Sequence, residues 1–159
     1  MRIGHGSDVH RFADDAGRTL VLGGVEVPGH VGLAGHSDAD VVTHAVCDAI
    51  LGAATLGDLG RHFPDDDPTT TGVSSLVLLR RCRELAWDAG FGIGNADVTV
   101  TAERPRLAGL LEAMSSTLTE VLGAPVSVKA TTAEGLGAIG RGEGIAATAV
   151  VLLVDAAPQ

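Results

Sequence analysis

GSDVHRF, residues 6–12, sets an acid and a histidine one residue apart inside a predicted strand. Because side chains along a strand alternate between its two faces, Asp8 and His10 are expected to converge on one face. A carboxylate and an imidazole on one face supply two of the three protein ligands that a catalytic zinc site needs. A surface ion pair or a hydrogen-bonded structural pair has the same spacing, so the pattern predicts a metal site only if a third ligand exists.

The candidate third ligand is His44, in the stretch DADVVTHAVCDAILGAA at residues 38–54. Apolar residues at helical spacing predict a helix there, with Ser37 or Asp38 as its N-cap. His44 lies off the apolar face, four residues from Asp40 and from Asp48. A ligating histidine usually has its second nitrogen held by a carboxylate or carbonyl, and either aspartate could serve, although a solvated polar stripe would have the same pattern.

Two further residues, His36 and Ser37, precede this helix. Backbone donors and the helix dipole at an N-terminus favour an anion, whereas an ordinary capping turn is the alternative interpretation.

The remaining pattern mixes strands and helices without a repeat. Strands are predicted over residues 2–9, 18–27, 95–101, 125–130 and 145–154, and further helices over 74–89 and 106–122. The first two strands are expected to pair as a hairpin, with Gly23-Gly24 as a bulge or turn in the second. Residues 55–72, rich in Gly, Pro and Asp, predict a mobile loop over the site. This order of elements predicts an α+β fold with helices on one face of a mixed sheet.

Composition predicts a single domain over residues 1–159, with 45% hydrophobic residues to fill a core. Twenty Asp and Glu against eleven Lys and Arg argue against a nucleic-acid or anionic-membrane partner. The apolar stretches are too short for a membrane span and MRIGHGSD does not resemble a signal peptide, so a cytoplasmic protein is expected. Cys47 and Cys82, in no metal or redox spacing, are predicted to be buried thiols.

Four motifs in order, GHGSDVHRF, GHSDADVVTHAVCDAI, LGDLGRHFPDDDP and KATTAEGLGAIGRGEG, resemble those of the 2-C-methyl-D-erythritol 2,4-cyclodiphosphate synthase family. The resemblance covers nearly the whole chain. It implies conversion of 4-diphosphocytidyl-2-C-methyl-D-erythritol 2-phosphate into the cyclic diphosphate with release of CMP, a lyase reaction of the non-mevalonate isoprenoid pathway.

The resemblance also implies two metal sites. Asp8, His10 and His44 would bind Zn²⁺ and leave a fourth position for a substrate phosphate, which makes Asp8 and His10 substrate contacts too. Glu134 would bind Mg²⁺ or Mn²⁺ together with the substrate phosphates, although a Glu at a helix N-terminus is the simpler interpretation of that residue alone. His36 and Thr132 match the proposed stabilisers of the transition state.

Substrate contacts are implied over several segments. The phosphate and methylerythritol contacts would be His36, Ser37, Asp58, Leu59, Gly60, Phe63, Pro64, Asp65, Asp66 and Asp67. Composition alone favours a solvated turn for the DDDP segment. The cytidine contacts would be Ala102, Glu103, Arg104, Pro105, Arg106, Leu107, Ala108, Ala130, Thr131 and Thr132, whereas Glu134 would contact the substrate phosphates through its metal ion. Arg106 stands where the family commonly has lysine, so phosphate contact is retained with a different geometry.

The family forms homotrimers with active sites between subunits and strands around a central cavity, so the resemblance implies the same assembly here. Arg141 matches an arginine that holds an isoprenoid diphosphate in that cavity, and Glu143 could pair with it across subunits. Ala138 replaces an aromatic residue that often lines the cavity, which makes this ligand a weaker expectation than the catalytic site.

Two other functions fit some of the residues. A metal-dependent phosphohydrolase would use the same three ligands with a metal-bound water as nucleophile. A non-catalytic trimer that senses a cytidine nucleotide or an isoprenoid diphosphate would not need two metal sites.

Overall fold

A computed structural model describes residues 1–64 and 72–156, which form six strands and five helices. The strands are β1 (Arg2–Arg11), β2 (Thr19–Leu22), β3 (Val25–Val31), β4 (Phe91–Thr101), β5 (Val126–Thr131) and β6 (Gly144–Asp155). The helices are α1 (Val41–Ala54), α2 (Leu59–His62), α3 (Ser75–Asp88), α4 (Leu111–Leu122) and α5 (Gly137–Gly140).

Four strands form one mixed sheet in the order β1-β6-β4-β5. The β4–β5 pair is parallel and the other two pairs are antiparallel. Along β6 the residues alternate: Ala147, Ala149 and Val151 are buried, whereas Thr148 and Val150 are exposed. Helix α3 contacts both α1 and α4, and all three helices pack against strands around this core, which confirms the predicted α+β fold with a mixed sheet.

Strand β1 approaches helix α1 closely because it has glycines on its inner face. A Cβ built on Gly4 would lie 1.8 Å from the backbone oxygen of Ala49, and one on Gly6 would lie 2.0 Å from that of Ala45. No side chain fits in this space. The alternation that turns Gly4 and Gly6 toward α1 also turns Asp8 and His10 toward the same helix.

The predicted hairpin between the first two strands is wrong. Strand β1 pairs with β6, more than 130 residues away, in the register Asp8↔Ala147 and His10↔Ile145. The second predicted strand is itself a hairpin, β2 and β3, and Gly23 and Gly24 form its turn with positive φ. Two adjacent glycines with φ of 58° and 73° suit a two-residue turn better than a bulge.

Helix boundaries also differ from the predictions at several points. The N-cap of α1 is Asp40, whose side chain accepts hydrogen bonds from the backbone N–H groups of Val42 and Thr43. Helix α4 begins at Leu111, five residues later than predicted, and β4 begins earlier, at Phe91. The one-turn helix α2 lies inside the segment predicted as a loop. The buried positions of Cys47 and Cys82 confirm the prediction for these thiols.

None of the helices in residues 1–64 and 72–156 is both long enough and apolar enough to cross a bilayer.

Candidate metal centre and substrate site

The three predicted zinc ligands meet where the end of β1 faces α1. The Oδ2 atom of Asp8 lies 3.0 Å from Nε2 of His10 and 3.0 Å from Nδ1 of His44. One ligand atom from each residue lies within 4.8 Å of the other two. Among the described residues, this is the one group of three such side chains close enough to share a metal ion.

The electrostatics of these residues follow from their contacts. Burial opposes the charge on Asp8, but hydrogen bonds from His10 and His44 and their positive charges outweigh it and hold the pKa of Asp8 well below its usual range. The hydrogen bond to Asp8 raises the pKa of His10 despite the opposing effect of burial. The carboxylate is therefore ionised at neutral pH, as a metal ligand must be.

In each histidine, the ring nitrogen that points away from Asp8, here called the outer nitrogen, has its own hydrogen-bond partner. Nδ1 of His10 lies 2.7 Å from the backbone oxygen of Ala34, which can only accept, so this nitrogen carries the hydrogen. Nε2 of His44 lies 2.9 Å from the hydroxyl of Ser75 and 3.1 Å from that of Ser37. The inner nitrogens, Nε2 of His10 and Nδ1 of His44, face Asp8.

The predicted carboxylate partner of His44 is wrong. Asp40 is fully buried, and its oxygens accept from the N–H groups of Gly23 and Gly24 as well as from the first turn of α1. Asp48 accepts from the N–H of Leu59 at 2.8 Å. The sequence did not predict Ser75 as a partner because it lies 31 residues from His44 and belongs to no motif. The one signal available for Ser75 was its position in the first turn of a predicted helix.

These ligands line a cavity of about 300 Å³. The predicted phosphate contacts His36 and Ser37 and the predicted methylerythritol contacts Leu59, Gly60 and Phe63 also line it. Asp58 accepts from the N–H of Arg61 as the N-cap of α2. Pro64 is exposed, and Asp65, Asp66 and Asp67 lie outside the described residues.

Asp48 lines the same cavity and was predicted only as a partner of His44. Burial raises its pKa, and the nearby charges of Asp58 and Asp8 add to the effect.

Four of the predicted cytidine contacts line a different cavity, of about 710 Å³. Its lining includes Glu103, Arg104, Pro105, Arg106 and Arg141. Ala102 and Leu107 are buried, and the N–H of Ala102 donates to the backbone oxygen of Thr131, whereas Ala108, Ala130 and Thr131 are exposed. Arg141 forms an ion pair within its own chain, with Nε 2.6 Å from Oε1 of Glu143.

The loop after β5 holds Thr132 and Glu134 together. The Thr132 hydroxyl donates to Oε1 of Glu134 at 2.7 Å, and Glu134 has a positive φ of 51°. Both residues are exposed. The carboxylate of Glu103 fixes this loop by accepting from the N–H groups of Ala133 and Gly135 at 2.9 and 3.2 Å.

The metal centre around Asp8, His10 and His44 and the region around Thr132 and Glu134 are here called the two half-sites. They lie at one end of the sheet but on opposite edges. Strands β1, β4 and β5 run in the same direction, and the residue pairs His10↔Ile145, Thr101↔Ala146 and Thr101↔Thr131 put their ends at one level. Three strand spacings separate β1 from β5, or about 14 Å. None of the described residues lines both cavities.

Lys129 lies on β5, at the edge of the sheet, and donates to Asp97 at 2.5 Å. A separate cavity of about 480 Å³ lies around Trp87 and Phe91, and no predicted site residue within residues 1–64 and 72–156 lines it.

Comparison with known proteins identifies the family. The profile of the YgbB family matches residues 1–154. A 2-C-methyl-D-erythritol 2,4-cyclodiphosphate synthase from Syntrophobacter fumaroxidans is 57% identical over 96% of this chain and 97% of its own length. A bifunctional enzyme IspD/IspF from Anaeromyxobacter sp. strain Fw109-5 is 61% identical over 97% of this chain, which spans 40% of that relative.

A solved structure supports the same assignment. A 2C-methyl-D-erythritol-2,4-cyclodiphosphate synthase in its CDP-bound form superposes with a TM-score of 0.86 at 38% identity, over 96% of this chain and all of its own. The chain therefore belongs to the YgbB family of 2-C-methyl-D-erythritol 2,4-cyclodiphosphate synthases.

Proposed function

We propose that this chain converts 4-diphosphocytidyl-2-C-methyl-D-erythritol 2-phosphate into 2-C-methyl-D-erythritol 2,4-cyclodiphosphate and CMP. The observation that carries the proposal is the convergence of Asp8, His10 and His44 on one point of a cavity that His36 and Ser37 also line. A carboxylate and two imidazoles, each ring held by an outer partner, fit Zn²⁺ with one position left for substrate.

The reaction needs charge stabilisation more than a base. The nucleophile is the substrate's own 2-phosphate, which is mostly dianionic near neutral pH because its second pKa is about 6. An oxygen of that phosphate forms a bond to the β-phosphorus, and the bond from this phosphorus to the bridging oxygen of CMP breaks. Charge accumulates on the transferring group, so aligned cations and hydrogen-bond donors lower the barrier.

The roles of the residues follow from that requirement. Zn²⁺, when bound, would supply a Lewis acid for the attacking phosphate. His36 and Ser37 would donate to phosphate oxygens, and Leu59, Gly60 and Phe63 would surround the methylerythritol part. Asp58, Pro64 and residues 65–67 are further proposed contacts on this side.

At the other half-site, Thr132 would donate to the transferring phosphoryl group. Glu134 would bind Mg²⁺ or Mn²⁺ together with the two phosphates of the substrate, because one exposed carboxylate is too few ligands without them. The backbone of residues 102–108 and 130–132 would bind the cytidine, with Arg104 and Arg106 near its phosphates. A relative's structure with bound CDP supports a cytidine diphosphate site.

A homotrimer with the active site between subunits completes the proposal. Two half-sites at the same end of opposite sheet edges would meet if the β1 edge of one copy approached the β5 edge of the next. The outer face of the sheet exposes Ile3, Val9 and Val150, which are 75%, 62% and 45% exposed in the single chain. Packing of three such faces around an axis would cover these apolar side chains.

We also propose that an isoprenoid diphosphate binds in the central cavity. Arg141 would have to exchange its partner Glu143 for the ligand.

The test of the reaction is phosphorus NMR of the purified protein with substrate and Mg²⁺, beside a sample stripped of metal. A cyclic diphosphate signal together with CMP, absent after stripping, is the expected result. Free phosphate would instead establish the phosphohydrolase, and unchanged but tightly bound substrate would establish a sensor.

A further inference from the structure

We propose that Arg18 is a positioning residue for the phosphate site: its guanidinium holds the backbone oxygen of Ser37 away from the metal cavity, so that the segment before α1 offers backbone N–H groups to a substrate phosphate. This inference rests on the proposed function, because it takes His36 and Ser37 as phosphate contacts. Arg18 itself belongs to none of the four motifs and does not line the metal cavity.

The first step is the position of the Arg18 side chain. The backbone of Arg18 is fixed, since its N–H donates to the oxygen of Asp15 at 3.2 Å and its oxygen accepts from the N–H of Gly32 at 2.7 Å. A Cβ built on Gly32 would lie 2.9 Å from Cγ of Arg18, so the side chain runs close to this glycine. The guanidinium then reaches the segment before α1, where Nη2 donates to the backbone oxygen of Ser37.

The second step is the direction of the carbonyl groups in that segment. The oxygen of His36 accepts from the N–H of Gly72 at 2.9 Å, and the oxygen of Ser37 accepts from Arg18. His36 and Ser37 line the metal cavity, whereas Gly72 and Arg18 do not. Both carbonyl oxygens, which are the negative ends of their peptide dipoles, are therefore bound by donors outside the space that a phosphate would occupy.

The third step is what remains for the phosphate. The N–H of Asp38, in the same peptide group as the Ser37 oxygen, donates to the backbone oxygen of Val73 at 3.1 Å. The N–H of Ser37 has no hydrogen-bond partner among the described residues, and an unpaired backbone donor in a cavity is suited to an anion. Without Arg18, only the bond from Asp38 to Val73 would oppose rotation of this peptide group, which would turn the Ser37 oxygen toward the phosphate.

Packing alone does not account for an arginine at position 18. Its Nε is buried and has no hydrogen-bond partner among the described residues. A buried donor without a partner costs folding free energy, and an unbranched apolar side chain such as methionine would avoid that cost. The charge and the Nη2 donor, both directed at Ser37, are therefore the properties that distinguish arginine here.

The experiment compares steady-state kinetics on the proposed substrate for the wild type and for Arg18→Met, Arg18→Lys and Arg83→Met. In Arg18→Met, KM should rise by about 10- to 100-fold, the effect of losing one hydrogen bond to a charged group. The turnover number kcat should change by less than about threefold, because the bond is lost from bound substrate and transition state alike. Arg18→Lys keeps a charged donor and should raise KM by less than about tenfold.

Arg83→Met is the matched control. Arg83 is also a half-buried arginine that donates to a backbone oxygen, that of Val121 at 2.6 Å, but it lies at the cavity around Trp87. Its KM should stay within about threefold of the wild type. Zinc content and urea unfolding of all four proteins separate positioning from a structural role: Arg18→Met should bind as much zinc as the wild type and be at least as stable as Arg83→Met.

An unchanged KM in Arg18→Met, or an equal rise in Arg83→Met, would overturn the inference. A rise that comes with loss of zinc, or with lower stability than that of Arg83→Met, would also overturn it, because Arg18 would then act only on the fold. A wild type that does not convert the substrate would overturn the proposed function itself, and the inference with it.

Discussion

The metal centre depends on individual side chains, and His44 is the one that joins helix to strand. His44→Ala should lose zinc and activity together, because two remaining ligands do not make a catalytic zinc site. The loss of affinity should exceed the about 10- to 100-fold expected for a lost outer partner. Zinc content by atomic absorption and CMP release measure the two effects.

Arg141→Ala is the matched control for that substitution. Arg141 lies away from the ligand cluster in an exposed ion pair, so this variant should keep its zinc. Activity that survives in zinc-free His44→Ala protein would contradict the assignment of His44 as a ligand.

At the scale of single residues, the sequence predicted the three metal ligands but not the hydrogen-bond partner of His44. Asp8 and His10 follow from strand alternation, which is a local property. The outer partner of His44 depends on how α3 is packed, and no local pattern contains that information. Asp40 and Asp48 had the right helical spacing, but backbone N–H groups of neighbouring turns bind them instead.

Among the elements, the contact between β1 and α1 is the most sensitive to substitution. Gly6→Ala would put a methyl group 2.0 Å from the backbone oxygen of Ala45, so helix and strand must separate. We expect a loss of about 1–3 kcal/mol or more in the free energy of unfolding, measured in urea.

Gly52→Ala provides the comparison within the same helix. Gly52 is exposed and a Cβ there would meet nothing within 4 Å. This variant should gain about 0.5–1 kcal/mol from helix propensity. Unfolding of both variants at the same urea concentration would refute the close approach.

The loop after β5 depends on Glu103, whose carboxylate holds two of its N–H groups. Glu103→Ala should lower activity by about 10- to 100-fold through misplacement of Thr132 and Glu134, with zinc content unchanged. Glu103→Gln keeps an acceptor oxygen and should retain most of the activity. Equal losses in both variants would instead assign the charge of Glu103 to substrate binding.

The sequence predicted most long elements but not their pairing. Helices α1 and α3 and strand β6 have strong local periodicity, and their predicted bounds agree within a few residues. The pairing of β1 with β6 joins distant ends of the chain, so proximity in sequence pointed to the wrong neighbour. Helices α2 and α5 have four residues each, too few for a periodic pattern.

At the scale of the whole molecule, the proposal of a shared site makes a quantitative prediction. His44→Ala and Glu134→Ala damage opposite half-sites, so each protein alone should be inactive. In mixed trimers, one of three sites would combine two intact halves. Random exchange of equal amounts should therefore restore about a quarter of the wild-type activity.

The measurement is CMP release after the two variants are unfolded together and refolded, beside each variant treated alone. Light scattering should give the mass of three chains. A mixture as inactive as its components would place both halves of the site within one subunit.

The missing methyl groups on Gly4 and Gly6 have a consequence for which ion the protein accepts. They set the distance between strand and helix, and Asp8 and His10 lie on the strand while His44 lies on the helix. Backbone contact in the hydrophobic core thus sets the distance between the ligands on the strand and the ligand on the helix. We therefore expect substitutions that never touch the ligands to change the selectivity between cations of different size.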